Sequence, residues 1–196
     1  VVRDDRRAQA RTPRATPDAG RRATGPRIGR EHRAPVPFLP KDFVVPDVVD
    51  AGTFRLRPIT THDAFRDYDA VMSSREHLWA RFGEAWGWPA VDLSLEQNIV
   101  DLGWHQKEFQ LRSSFDYVVA SSDGTRQLGC VYVDPADTEG ADADVWYWAR
   151  ASELANGLED RIEAFLSGWL AGAWPLRVVT INGRQVRLPV TSQGLR

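Results

Sequence analysis

The residues with most chemical content lie where a strand should give way to a helix, in the run Asp144-Val-Trp-Tyr-Trp-Ala-Arg-Ala-Ser-Glu-Leu-Ala-Asn-Gly-Leu-Glu159. A chain that leaves a strand and opens a helix presents unpaired backbone N–H groups and the positive end of the helix dipole, both of which favour an anion. Asn156 is suited to cap that helix, Glu159 stands three residues on where it can reach back, and Gly157 permits a tight turn or close approach of a ligand. The same residues are ordinary capping grammar that binds nothing, and the sequence leaves both readings open. Asp144 opens the strand with a carboxylate able to take a proton directly or through water; the competing reading is a solvated, inert aspartate at a strand end. The acids Asp134, Asp137, Glu139, Asp142 and Asp144 are dense, but Pro135 and the lack of a calcium-loop pattern predict a solvated loop. His62 and His77 flank helix ends with no second ligand at metal spacing, so no metal is expected. Cys130, among apolar neighbours, reads as a buried thiol and not a nucleophile. Neither a Ser-His-Asp signature nor a Walker loop is present.

Patterning defines the elements that must position these groups. The chain has 196 residues, 42% hydrophobic and 27% charged, with a formal net charge of −2, the composition of a globular protein. That average joins two unlike parts. Residues 1–36 hold ten arginines and four acids, a net of +6, with almost nothing aliphatic, which leaves −8 for the remainder. A segment so poor in apolar surface is predicted to be disordered. It reads either as a basic arm for nucleic acid or another polyanion, or as a dispensable tail. An acidic domain repels polyanions, so any nucleic-acid role would rest on the arm alone. No window approaches the roughly 18 apolar residues of a membrane span, and the charged N-terminal stretch lacks the apolar core of a signal peptide. One cysteine makes no internal disulfide. A cytoplasmic protein without membrane contact is expected, of an oligomeric state the sequence does not disclose.

Residues 37–52, with three prolines among Phe and Val, read as an extended lead-in packed on the domain. Phe54 and Leu56 alternate with Arg55 and Arg57 in a first strand. Thr60 with Asp63 resembles a capping box ahead of a helix to about Ser74, and Ser94 with Gln97 opens a second helix ending near Arg112. The stretch between them is expected to be a loop rich in aromatics, where Trp79, Phe82, Trp86 and Trp88 either wall a substrate pocket or form a lid over the core. His105, beside Trp104 on the second helix, reads as a surface histidine or as part of such a pocket. Strands at 115–120, 127–133 and 144–150 should form an antiparallel meander, the first turn signalled by Asp123-Gly124. Leu158, Ile162, Phe165, Leu166, Trp169 and Leu170 mark a helix that Pro175 ends, and 176–181 is a last strand, so the final strand pair should be parallel. The prediction is an α/β (α+β) fold with a mixed, mostly antiparallel sheet, packed helices and one parallel β-α-β crossover. Residues 183–196 are short and polar, with room for one weak strand.

Leu128-Gly-Cys-Val-Tyr-Val, the polar loop, Ala143-Asp-Val-Trp-Tyr-Trp-Ala-Arg and the helix that follows resemble the central part of the GNAT superfamily of acetyl-CoA-dependent N-acetyltransferases. The order of elements over 53–182 is similar to that fold as well. The resemblance implies an acyltransferase that uses acetyl-CoA as co-substrate, with the pantetheine arm between splayed strands and the pyrophosphate on the loop before the helix. It implies coenzyme contacts at Ala149, Arg150, Ala155, Asn156, Gly157 and Leu158, a proton acceptor at Asp144, and a pocket for a small-molecule or peptide amine at Trp86, Trp88, His105 and Trp146. Gly157 matches the second loop glycine, whereas Leu154, Ala155 and Glu159 replace the motif's arginine, first glycine and small residue. The tyrosine that the family carries on a later helix as general acid has no expected counterpart, and Tyr147, facing opposite Asp144, reads as core. The alternative is a catalytically inactive GNAT-like binding or regulatory module.

Overall fold

The computed structural model describes residues 38–190, so the Arg-rich arm and the last six residues lie outside it. Seven strands form one sheet in the order β1-β2-β3-β4-β5-β6-β7, in which only the β5–β6 pair is parallel. The lead-in contributes β1 (Val49–Asp50), which adds to the edge of β2 (Phe54–Pro58). In β2, Phe54 and Leu56 point inward while Arg55 is exposed, the alternation the sequence shows. The meander is β3 (Phe115–Ser121), β4 (Gln127–Pro135) and β5 (Ala143–Ala149), then β6 (Val178–Ile181) and β7 (Arg184–Arg187) complete the sheet. The first meander turn is closed by Asp123, whose carboxylate accepts from the Thr125 amide at 3.0 Å, with Gly124 at φ 74°.

Strands β3 to β5 read as almost unbroken apolar runs because both of their faces are covered. On one face Tyr117, Val119, Val131, Val133, Val145 and Tyr147 pack against α5 (Leu158–Ala173), whose stripe Leu158, Ile162, Leu166, Leu170 is fully buried. Each such side chain contributes roughly 1.5–3 kcal/mol by leaving water. On the other face Val118, Cys130, Tyr132 and Trp148 meet α1 (Ala64–Met72), α2 (Arg75–Trp86) and α3 (Leu95–Leu111). Caps fit the expected signals at two places: Ser94 Oγ accepts from the Gln97 amide at 3.1 Å, and the Asp63 carboxylate accepts from the Thr60 amide at 3.0 Å.

One expectation fails in this region. Most of the aromatic stretch is not loop but helix α2, which ends on Gly87 in the left-handed conformation at φ 65°. Leu78 and Phe82, four residues apart, give the helix its buried stripe. Gly83 allows the Trp79 ring to lie against the helix, since a Cβ there would stand 2.6 Å from the indole. A mid-helix glycine reads as a loop signal in sequence, whereas here it serves packing.

Candidate functional site

β5 and β6 pair at three positions only, Ala143–Val179, Asp144–Thr180 and Val145–Ile181. Beyond these the chain turns at Asn182 and Gly183 into β7 while β5 runs on to Ala149, so the part of β5 from Trp146 to Ala149 has no β6 partner. The backbone at Tyr147, in this unpaired part of β5, is already engaged. The Tyr147 amide donates to Asn182 Oδ1 at 3.0 Å, and its carbonyl accepts from Arg81 Nη1 at 3.4 Å.

The loop from β5 to α5 holds a short helix, α4 (Ala151–Leu154), then Ala155, Asn156 and Gly157. Here the expected cap is corrected: the N-cap of α5 is Gly157, at φ 68°, and not Asn156. Asn156 instead closes the preceding turn, its amide on the Glu153 carbonyl at 3.1 Å and its side chain on the Glu153 carboxylate at 3.1 Å. The left-handed turn at Gly157 directs the chain into the helix without a side-chain cap, so the first-turn amides of Leu158, Glu159 and Asp160 have no intrahelical acceptor. Glu159 does not reach back either. It crosses to α2, taking both Arg81 nitrogens at 2.7 and 3.3 Å, with His77 Nε2 at 3.4 Å. A Cβ at Gly157 would meet nothing closer than Arg161 Nη1 at 3.8 Å, so a ligand has open access to that turn. Free amides, an open glycine and nearby arginines fit a diphosphate, with two protein carboxylates, Glu159 and Asp160, already present in the same turn. Ala149 is buried, and Arg150 turns away to Asp69 at 2.5 Å.

The opposite face of β5 carries Asp144, Trp146 and Trp148. Asp144 is 5% exposed, not solvated: Thr180 Oγ1 donates to it at 2.7 Å and the Asp137 amide at 2.8 Å, which ties the 136–142 loop to β5 and β6. Trp146 meets Trp86 edge-on at 5.0 Å, and Trp86 stacks on Phe82 at 4.2 Å. Trp88 lies 6.2 Å from Trp148 and lines a half-open cavity with Asp67, Asn98, Asp101, His105 and Tyr132. Of the four residues expected to form a pocket, Trp88 and His105 share this cavity, while Trp86 and Trp146 form the aromatic stack beside it.

His105 is no surface residue. Its Nδ1 lies 2.6 Å from Asp116 Oδ2; burial favours the neutral ring, but the charge and hydrogen bond of Asp116 prevail and raise its pKa to about 9. Burial raises the pKa of Asp67 and Asp101, against hydrogen bonds from Asn98 and Gln127 to the first and from Gln97 to the second. Asp134, buried near the negative Asp116, is pushed up to about 7 although Ser114 donates to it at 2.5 Å. Where no metal cluster was expected, His105, Glu108 and Asp116 bring potential ligand atoms within 4.8 Å of one another. Burial pushes the Cys130 thiol well up, as an inert core thiol requires.

Sequence reasoning missed Asp67, Asp101, Asp116 and Arg81. Asp67 and Asp116 left a signal, each being an acid on an otherwise apolar face or strand. Arg81 left none, because its partners are 66 and 78 residues away.

The fold is that of the GNAT acetyltransferases. The chain superposes on a ribosomal-protein-S5-alanine acetyltransferase from Vibrio fischeri with a TM-score of 0.54 at 16% identity, over 69% of this chain and 73% of the other. RimL, a ribosomal L7/L12 α-N-protein acetyltransferase in complex with coenzyme A, gives 0.55 at 15% identity over 69% and 73%. The microcin C7 self-immunity acetyltransferase MccE, in complex with acetyl-CoA and AMP, gives 0.55 at 14% identity over 70% and 73%. No family model and no curated protein matches the chain. Among the described residues no helix is long and apolar enough to cross a membrane.

Proposed function

We propose that the protein is an N-acetyltransferase that moves an acetyl group from acetyl-CoA to the amine of a small molecule or peptide. The observation that carries this reading is the parting of β5 from β6 beside a helix N-terminus with three free amides, in a fold shared with enzymes solved with coenzyme A and acetyl-CoA. Ala155, Asn156, Gly157 and Leu158 would face the diphosphate, and Ala149 and Arg150 lie at the end of β5 that has no β6 partner. The acceptor amine enters from the side of α1 and α3, where Trp88 and Tyr132 wall the cavity and Asp101, held through Oδ1 by Gln97 at 2.8 Å, suits an ammonium group. In the reaction the amine nitrogen bonds to the acetyl carbonyl carbon as the thiolate leaves. The proton of the amine passes through water to Asp144, and the thiolate takes a proton from water.

A second reading, a GNAT-fold module that binds without turnover, is favoured by the engaged Tyr147 backbone and by Glu159 in the coenzyme loop. Acetyl-CoA at high micromolar concentration should raise the thermal midpoint under either reading. Acetyl transfer to a panel of amines separates them. For the enzyme, Asp144→Asn should lower kcat by at least about tenfold with little change in KM for acetyl-CoA. Binding without transfer to any amine would leave only the second reading.

A further inference from the structure

The motif arginine of the coenzyme loop is replaced by Leu154, yet a guanidinium reaches the same rim from another element. Arg81 of α2 lies between the first turn of α5 and the edge of β5, 2.7 Å from Glu159 Oε1 and 3.4 Å from the Tyr147 carbonyl oxygen. We propose that Arg81 is a diphosphate-binding residue of the coenzyme site and that Glu159 is its internal competitor, a carboxylate held where the coenzyme's anion would lie. The proposal rests on the acetyl-CoA reading and adds to it the residues that set affinity.

Four observations support the exchange. The planar fork of an arginine receives a carboxylate and a phosphate in the same bidentate way, so the grip on Glu159 is one a phosphate can take over. Glu159 belongs to the turn whose free amides would hold the anion, and a carboxylate there interacts with the positive helix end as a phosphate does. The pair is accessible enough to open, with the Arg81 and Glu159 side chains 30% and 23% exposed. Finally, Nε2 of His77 is buried without a hydrogen-bond partner although it lies 3.4 Å from Glu159, which leaves a donor or acceptor at the latch that Glu159 does not satisfy. Of the other charges at the turn, Arg161 donates to the Asn156 carbonyl at 2.5 Å, while the Asp160 carboxylate stays beside Gly157 as a second acid, which the exchange at Arg81 leaves in place. The Arg81 guanidinium also sits 5.9 Å from the Tyr147 ring, a contact with β5 that does not depend on Glu159.

Opposite signs distinguish competition from mere scaffolding. Glu159→Gln removes one negative charge and frees two basic groups, whereas Arg81→Ala leaves Glu159 uncompensated before the phosphate. A single charge in or beside the site, screened by solvent and salt, makes each change worth roughly three- to tenfold in Kd. Calorimetric titration of the full chain should therefore show coenzyme A binding about three- to tenfold tighter to Glu159→Gln and weaker by a similar factor to Arg81→Ala. Pantetheine, which lacks the phosphates, should bind both variants as it binds the wild type. If both substitutions weaken coenzyme A, or neither changes it, the latch is only structural and the proposal is overturned while the acetyl-CoA reading stands. If neither the wild type nor Glu159→Gln binds coenzyme A at millimolar concentration, the acetyl-CoA reading falls and the proposal with it.

Discussion

Gly129, the glycine of the Leu-Gly-Cys-Val-Tyr strand, faces Ala149 across the β4–β5 pair, and replacing it by alanine tests that packing directly. Its φ is not in the left-handed region, so the need for glycine is one of space. A Cβ there would stand 2.0 Å from the Trp148 carbonyl oxygen, 3.0 Å from its carbon and 3.1 Å from Ala149 Cα. All three are backbone atoms, which no rotamer change can move aside. Contacts of that kind relax toward about 3.5 Å, so the strands must part by about 1 Å or more at the Gly129–Ala149 pair. Overpacking of a core costs roughly 1–3 kcal/mol, and one or two weakened ladder hydrogen bonds add about 1 kcal/mol each. A loss of about 3 kcal/mol corresponds to a fall in Tm of roughly 6–12 °C for a chain of this length. Gly168→Ala is the control: on exposed helix surface with nothing within 4 Å of the new Cβ, it should gain about 0.5–1 kcal/mol. Thermal unfolding followed by tryptophan fluorescence reads both, since Trp148 is fully buried beside the first site. A Gly129→Ala midpoint within about 1 °C of wild type would refute the claim that backbone proximity demands glycine.

Two predictions concern protonation and one the acceptor. His105 has its pKa raised from 6.5 to about 9, so its contribution to stability is complete below 6.5 and is lost as pH rises through 9. The midpoint should fall over that window by an amount equivalent to about 3 kcal/mol, and His105→Gln should flatten the profile. Asp134 is raised from 3.8 to about 7, so its ionisation in the folded protein costs stability as pH climbs between those values. Asp134→Asn, which can still accept from Ser114, should then be more stable than wild type at pH 8 and lose that advantage near pH 4; equal midpoints at pH 8 would contradict this. Asp101→Asn should raise KM for cationic amines about three- to tenfold and leave neutral-headed acceptors nearly unchanged, measured by steady-state acetyl transfer.

Much of the fold was legible because it is written in local periodicity. The alternation at Phe54 and Leu56, the Asp123-Gly124 turn and the stripe from Leu158 to Leu170 each specify an element within a dozen residues, and the crossover forces β6 to lie parallel to β5. Helix α2 escaped because Gly83 and the clustered tryptophans mimic a loop, when the glycine is there to admit the Trp79 ring. The site divides in the same way. Gly157 before a helical stripe signalled the α5 terminus, but whether Asn156 or Gly157 capped it depended on α4 consuming Asn156 in its own final turn.

By itself the sequence determined the antiparallel meander, the crossover that makes one pair of strands parallel, and the position of a glycine at the start of α5, because each is set by spacing between near neighbours. Only the tertiary structure decided that Arg81 meets Glu159, that Asp116 raises the pKa of His105, and that Asp144 is tied down by Thr180 and the Asp137 amide. Those pairings depend on which faces the sheet brings together, and the charge on a side chain does not encode the partner that will neutralise it. The acid in the first turn of α5 is the sharpest case: in sequence Glu159 is one more carboxylate near others, and in the fold it is the partner of a guanidinium from a different helix.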